Sequence, residues 1–186
     1  MDKQTVNLGK LSRRRLLQSA GLAAIWPAAS RLVAAGKPAK PNIILVIGDD
    51  MTWHDCEPYG STIVKTPNMA RLASEGIRLD NMFTSTAMCA PTRQQLYTGL
   101  FPVRNGAYPN HSQIRSGIKT LPVYLKALGY RVGLVGKRHF GPAAQYPYEN
   151  LGILPKTAKA VADLTKTKAF VNRDASQPFC LVVCPS

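Results

Sequence analysis

The run Asn42-Ile43-Ile44-Leu45-Val46-Ile47-Gly48, which stops at Asp49-Asp50, constrains this chain more than any other stretch. It is apolar and β-branched, with no polar residue at alternate positions. A strand with water on one face alternates; one that does not alternate reads as buried on both faces, inside a parallel sheet covered by helices. Two further runs read the same way, Arg131–Gly136 and Phe179–Cys184.

Helix signals lie between them. Thr66-Pro67 supplies an N-cap and a proline at the first helical position, Met69, Leu72 and Ala73 form an apolar stripe, and Gly76 closes the helix. Pro91 reads as the opening of a second helix, with Cys89 just before it and Gly99 at its end. Thr120-Leu121-Pro122 opens a third, ending at Gly129, and the lysine-rich stretch 156–173 reads as helical. Strands alternating with helices predict an α/β fold around a mostly parallel sheet. Chemistry in such sheets collects in the crevice beyond the carboxyl ends of the strands. Asp49-Asp50 and Lys137-Arg138-His139 both fall there.

Composition narrows the class. At 45% hydrophobic residues the 186-residue chain is neither disordered, collagen-like nor coiled coil. No apolar run reaches the roughly 18–20 residues of a stable membrane span. The net charge of +14 divides unevenly: residues 1–35 carry +5 and the remainder +9. The basic residues after position 35 are scattered and not interleaved with aromatics, which disfavours nucleic acid and favours an anionic substrate or polymer.

Residues 1–35 read as an address. Ser12-Arg13-Arg14-Arg15-Leu16-Leu17 precedes a mildly apolar run through Trp26, and Val33-Ala34-Ala35 offers a small-x-small cleavage site. The paired arginines resemble the twin-arginine export motif, with an ordinary secretory signal or a cationic surface helix as the alternatives. Residues 36–40 are a linker, and 41–186 the folded part.

Two carboxylates side by side suit a hard cation, although Asp49-Asp50 alone also fits a turn and helix cap. Cys89 at a helix start meets unpaired N–H groups and a dipole that favour an anion, and Arg93 lies one turn on. A small buried thiol beside a capping proline is the plainer reading, and it suits Cys56 equally. Cys180 and Cys184 share a strand face about 13 Å apart, too far to bridge. His111 reads as a loop residue or a lining of the substrate cleft, and His54 as loop.

Taken together, Cys89-Ala90-Pro91-Thr92-Arg93 with Leu96-Tyr97-Thr98-Gly99 resembles the signature of the type I sulfatases. Pro41–Asp50 is similar to that family's opening strand and metal ligands, Thr66–Ala73 to its first helix, and Gly136-Lys137-Arg138-His139-Phe140-Gly141 to its Gly-Lys-x-His segment. The resemblance implies an alkaline-phosphatase-like α/β sandwich. It also implies a sulfuric-ester hydrolase whose nucleophile is a formylglycine made from Cys89 by a formylglycine-generating enzyme. By the same carry-over Asp49 and Asp50, with residue 89, bind Ca²⁺ (Mg²⁺ as the alternative). Arg93 stabilises the hydrated formylglycine, Lys137 holds sulfate oxygens, and His139 takes a proton from it.

Lys137–His139 with Tyr146-Pro147-Tyr148 resembles the sulfamidase branch, which cleaves N-sulfate from glucosamine. The implied partners are a sulfated small molecule or glycan and the twin-arginine translocase, with a periplasmic or extracellular location. Phosphonate or phosphate-ester hydrolysis and an inert or glycan-binding module are the competing readings. The family's second ligand pair, another lysine and a further histidine are expected beyond Ser186. The sequence is therefore expected to be a truncated, N-terminal portion with little stability or activity alone.

Overall fold

The computed structural model describes residues 40–155 and 162–186. The expected export signal, nearly all of the linker and the start of the lysine-rich stretch lie outside the described residues. In chain order the elements are β1 (Ile43–Val46), α1 (Pro67–Glu75), α2 (Cys89–Thr98), α3 (Pro102–Asn105), α4 (Leu121–Ala127), β2 (Arg131–Gly136), β3 (Glu149–Asn150), α5 (Thr165–Asn172) and β4 (Phe179–Cys184). The four strands form one all-parallel sheet in the order β1-β4-β2-β3. Parallel neighbours need long crossovers, and the helices between the strands supply them.

Register decides where the site forms. Val46 pairs with Val183 and Val183 with Val135, so β1, β4 and β2 end at one level. Residues just past β1 and β2 therefore leave the sheet on the same edge, separated by the width of β4.

Side chains alternate across the sheet. Val132, Leu134, Cys180, Val182 and Cys184 face one core, closed by Tyr97 of α2 and Leu125 of α4. Val135, Phe179 and Leu181 face the other, closed by Phe170 of α5. All four cysteines are free, as the spacing of Cys180 and Cys184 requires.

Four expectations change. β1 is not buried on both faces: Leu45 and Ile47 pack against the first core, but Ile44 is 62% and Val46 65% exposed. β1 is an edge strand of this sheet, and α5 sits over β2 and β4, too far across to reach it. The stripe on α1 is not packed either, since none of its residues is buried and Leu72 is 72% exposed. Thr66 does not cap α1 with its hydroxyl. Its Oγ1 accepts from the Glu57 N–H at 2.9 Å, while its own N–H donates to Glu57 Oε2 at 2.5 Å. Finally, α2 begins at Cys89, with Pro91 inside its first turn. A proline is tolerated there because the first-turn N–H groups have no intrahelical acceptor.

β3 had no sequence signal. It is two residues long, neither of them apolar, and exists through pairing with Gly133 and Leu134.

One glycine is indispensable. Gly136 ends β2 at φ 97°, and a Cβ there would sit 2.1 Å from the carbonyl oxygen of Cys184. That carbonyl accepts the Lys137 N–H at 2.9 Å. Gly136→Ala is expected to cost about 2 kcal/mol or more, from the disallowed backbone conformation and the clash together. Urea unfolding followed by far-UV circular dichroism checks this; a midpoint equal to wild type would contradict it.

Candidate active site

The chain reverses into a bend after β1, and Asp49 and Asp50 sit there, with Asp50 in the left-handed region at φ 51°. Lys137 and His139 follow β2. Strands two positions apart in a sheet lie about 10 Å from each other, a gap that a lysine side chain and an arginine entering from α2 can close. They do so on one carboxylate. Arg93 Nη2 donates to Asp49 Oδ1 at 3.2 Å, and Lys137 Nζ donates to Asp49 Oδ2. Arg93 Nη1 also donates to the Lys137 carbonyl at 3.4 Å, which ties α2 to the end of β2.

The electrostatics follow from burial. The Arg93 side chain is only 3% exposed, so its charge needs a partner inside the protein. Burial alone would raise the Asp49 pKa, but hydrogen bonds and charge from Lys137 and Arg93 outweigh it and hold the carboxyl below its ordinary value. The hydrogen bond to Asp49 raises Lys137 despite its partial burial. Both groups are therefore charged at neutral pH.

Cys89 occupies the first position of α2. Met88 is the N-cap residue, and its carbonyl accepts the Thr92 N–H at 3.0 Å. The methionine thioether is only a weak acceptor and makes no cap here, and Asn110 from a distant loop substitutes. Its Oδ1 accepts the N–H of Ala90 at 3.4 Å and that of His111 at 3.1 Å. The Cys89 thiol lies 3.9 Å from Asp50 Oδ1. Asp49, Asp50, Cys89 and Arg93 line one cleft of about 370 Å³.

The donor set fits a hard cation. One donor atom from each of Asp49, Asp50 and Cys89 lies within 4.8 Å of the others. Ligands on opposite sides of a Ca²⁺ bound at 2.3–2.6 Å are at most about 5 Å apart. The carboxylates offer lone pairs beyond those that Arg93 and Lys137 occupy. This is the only such cluster among the described residues.

All six residues anticipated from the sequence thus gather at one end of the sheet. His139 stands slightly apart from the other five, with its Nε2 hydrogen-bonded to His111 Nδ1 at 2.9 Å. Burial, and then the neighbouring His111, Lys137 and Arg93, depress the His139 pKa, so its ring is neutral at neutral pH. Arg138 between them is exposed. His54 stacks on Trp53, with ring centroids 3.6 Å apart.

Sequence reasoning missed Gln94, which is fully buried on α2. Its Nε2 donates to the Ser112 carbonyl at 2.8 Å, and its Oε1 accepts the N–H groups of Ile114 at 3.2 Å and Gly141 at 3.3 Å. One amide thus anchors the loops that carry His111 and His139. A glutamine within a helical stretch carries no mark of this role; only its neighbours in space reveal it.

Comparison with known proteins identifies the family and the fold. The sulfatase family model matches residues 41–180. An ulvan-active sulfatase from Formosa agariphila is 39% identical over 147 residues, covering 77% of this chain and 29% of that protein. The N-acetylgalactosamine-6-sulfatase of Rattus norvegicus is 38% identical over 128 residues, covering 62% of this chain and 24% of its own length. A protein solved in complex with its substrate D-glucosamine-2-N,6-O-disulfate superposes with a TM-score of 0.62 at 28% identity, over 78% of this chain and 34% of that one. The chain spans roughly a quarter to a third of the length of these relatives.

Removing the central charge tests the arrangement. Asp49→Asn keeps the shape but leaves Arg93 buried without its anion, and is expected to destabilise the fold by about 3 kcal/mol at pH 7. Because the folded pKa of Asp49 is depressed, its contribution is complete above the unfolded carboxylate value near 3.9 and fades as pH falls through the lower folded value. The gap between wild type and Asp49→Asn in urea midpoint should therefore be constant from pH 5 to 8 and shrink in acid. A gap that grew in acid would refute it.

Proposed function

The chain belongs to the sulfatase family, and from that premise we propose that it carries the nucleophile-bearing half of a sulfate hydrolase site, with formylglycine formed at position 89. The observation that carries this reading is the position of Cys89. It opens a helix and lies beside Asp50, on the edge of the sheet where Arg93 and Lys137 converge on Asp49.

In this reading each side chain has a task. Arg93 and Lys137, held by Asp49, present fixed positive charge to the sulfate oxygens and to the charge that develops on the leaving group. They need no reorganisation during reaction because both are already in place. The N-terminus of α2 adds the positive end of its helix dipole on the same side. Asp49 and Asp50 hold and orient Ca²⁺, with Mg²⁺ the alternative. When bound, that ion supplies two positive charges to a cluster whose own four formal charges cancel, together with Lewis acidity toward an oxygen ligand. Conversion of Cys89 and hydration supply a geminal diol, one hydroxyl to attack sulfur and one whose loss of a proton releases sulfate, whereas a thiol has no second hydroxyl. His139, kept neutral by its surroundings, accepts that proton.

The substrate class we favour is a sulfated carbohydrate, as O-sulfate ester or N-sulfate, because the relatives named above include enzymes named for ulvan and amino-sugar sulfates. The mature chain's positive charge suits such polyanions. The sequence relatives named above are sulfatases at 38–39% identity, whereas a phosphonate monoester hydrolase of Agrobacterium radiobacter shares the fold at only 21% identity, so sulfate is preferred to phosphonate or phosphate esters. Residues 1–35 would direct export through the twin-arginine translocase to the periplasm or beyond. Among the described residues no helix is long and apolar enough to cross a membrane. A formylglycine-generating enzyme is the second implied partner.

Peptide mass spectrometry across Ala87 to Arg93 tests the reading. Replacing the thiol by the aldehyde oxygen removes H₂S and adds O, a loss of about 18 Da. Protein from a host that makes the generating enzyme should show this loss at Cys89 and lack it in Pro91→Ala/Arg93→Ala chains. An unmodified thiol in that host would overturn the assignment.

A further inference from the structure

We propose that His111 is a positioning residue for His139, fixing through one hydrogen bond which nitrogen of the His139 ring carries its proton. The functional meaning rests on the sulfate-hydrolase reading, in which His139 accepts a proton; the geometry stands without it.

Three observations converge. First, His139 Nε2 and His111 Nδ1 are 2.9 Å apart, with the ring planes tilted by 48° and centroids 4.7 Å apart. Two neutral imidazoles share such a contact only if one donates and the other accepts. Second, the remaining ring nitrogen of His139, Nδ1, is buried and has no hydrogen-bond partner. A buried N–H without an acceptor is among the rarest features of folded proteins, and a spare lone pair is better tolerated. The proton therefore belongs on Nε2, which donates to His111, and Nδ1 keeps its lone pair. Third, the chain holds both residues in the left-handed region, His139 at φ 46° and His111 at φ 64°. With Asp50 these are the only non-glycine residues so placed among those described, and all three lie at the candidate site.

The two loops cannot drift apart. Ile114 N–H donates to the Gly141 carbonyl at 3.0 Å, and Gln94 bonds both loops to α2. Asn110 accepts the His111 N–H while also serving Ala90 next to Cys89. The pair is thus referenced to the helix that carries the nucleophile position. The charged and titratable groups acting on His139 are His111, Lys137, Arg93 and Asp49. Burial and the two permanent cations among them keep the His139 ring neutral at rest. When Nδ1 takes a proton, an O–H bond breaks and an N–H bond forms, with the O–H electron pair left on oxygen. The imidazolium keeps its Nε2–H bonded to His111, which stabilises the positive ring without taking the proton.

Long-range ¹H–¹⁵N spectra of histidine-labelled chain at pH 7.5 read the tautomer directly, for wild type, His111→Gln and His111→Leu. Wild-type His139 should be in the Nε2–H form. His111→Gln offers an acceptor oxygen and should retain it. In His111→Leu the ratio of Nε2–H to Nδ1–H forms should fall roughly fivefold, the size expected for one lost hydrogen bond. An unchanged ratio in His111→Leu, or an Nδ1–H ring in wild type, overturns the proposal. The wild-type spectrum needs no variant to fold. None of these readouts requires turnover or formylglycine, so failure of the sulfate-hydrolase reading would leave this result standing.

Discussion

Asp49 receives two cations on its two carboxylate oxygens, Arg93 from α2 and Lys137 from the end of β2, and much of the architecture follows from that contact. A guanidinium as buried as Arg93 is unstable in a protein unless an anion meets it. Meeting it forces α2 to point its first turn at the carboxyl edge of the sheet, and that turn carries Cys89. Lys137 reaches the same carboxylate only because β1, β4 and β2 end in register and because Gly136 lets the chain turn against Cys184. One ion-pair cluster thus links three segments far apart in sequence.

Backbone strain is spent in the same place. Asp50, His111 and His139 take a conformation that side chains disfavour, and each lies in a loop the rest of the fold braces from outside. Gln94 supplies most of that bracing for the two histidine loops, and Asn110 caps the helix start that Met88 leaves open. Neither residue is reactive. Their contribution is to remove freedom from groups whose chemistry depends on position.

Where the sequence was legible, it was so for identifiable reasons. β2 and β4 are continuous apolar runs, and both are buried as that pattern requires. Pro67, Gly76 and Gly99 punctuate helices by rules that act within a few residues. The six candidate residues that gather at one end of the sheet could be named in advance because their motifs are short and ordered along the chain. The failures are equally specific. The apolar run of β1 and the stripe of α1 both signal burial, yet Val46 and Leu72 are exposed because no described element packs on them. Periodicity reports which face wants to be covered; it does not say what covers it. Pro91 marked a helix start two residues late, because proline is acceptable throughout the first turn and not only at its first position.

The sequence by itself determined the fold class, the helix boundaries marked by Pro67, Gly76 and Gly99, and the kinds of chemistry present: two carboxylates, a cysteine, two cations and a histidine. These depend on local backbone preference and on residue type, both of which are written in the chain. Tertiary structure decided which of those groups touch. That Arg93 and Lys137 share Asp49, that Gln94 and Asn110 hold the loops, and that His111 meets His139 are contacts between residues 18 to 88 positions apart. Such contacts arise when burial brings distant segments together and unpaired polar groups must then find partners, which no local pattern encodes.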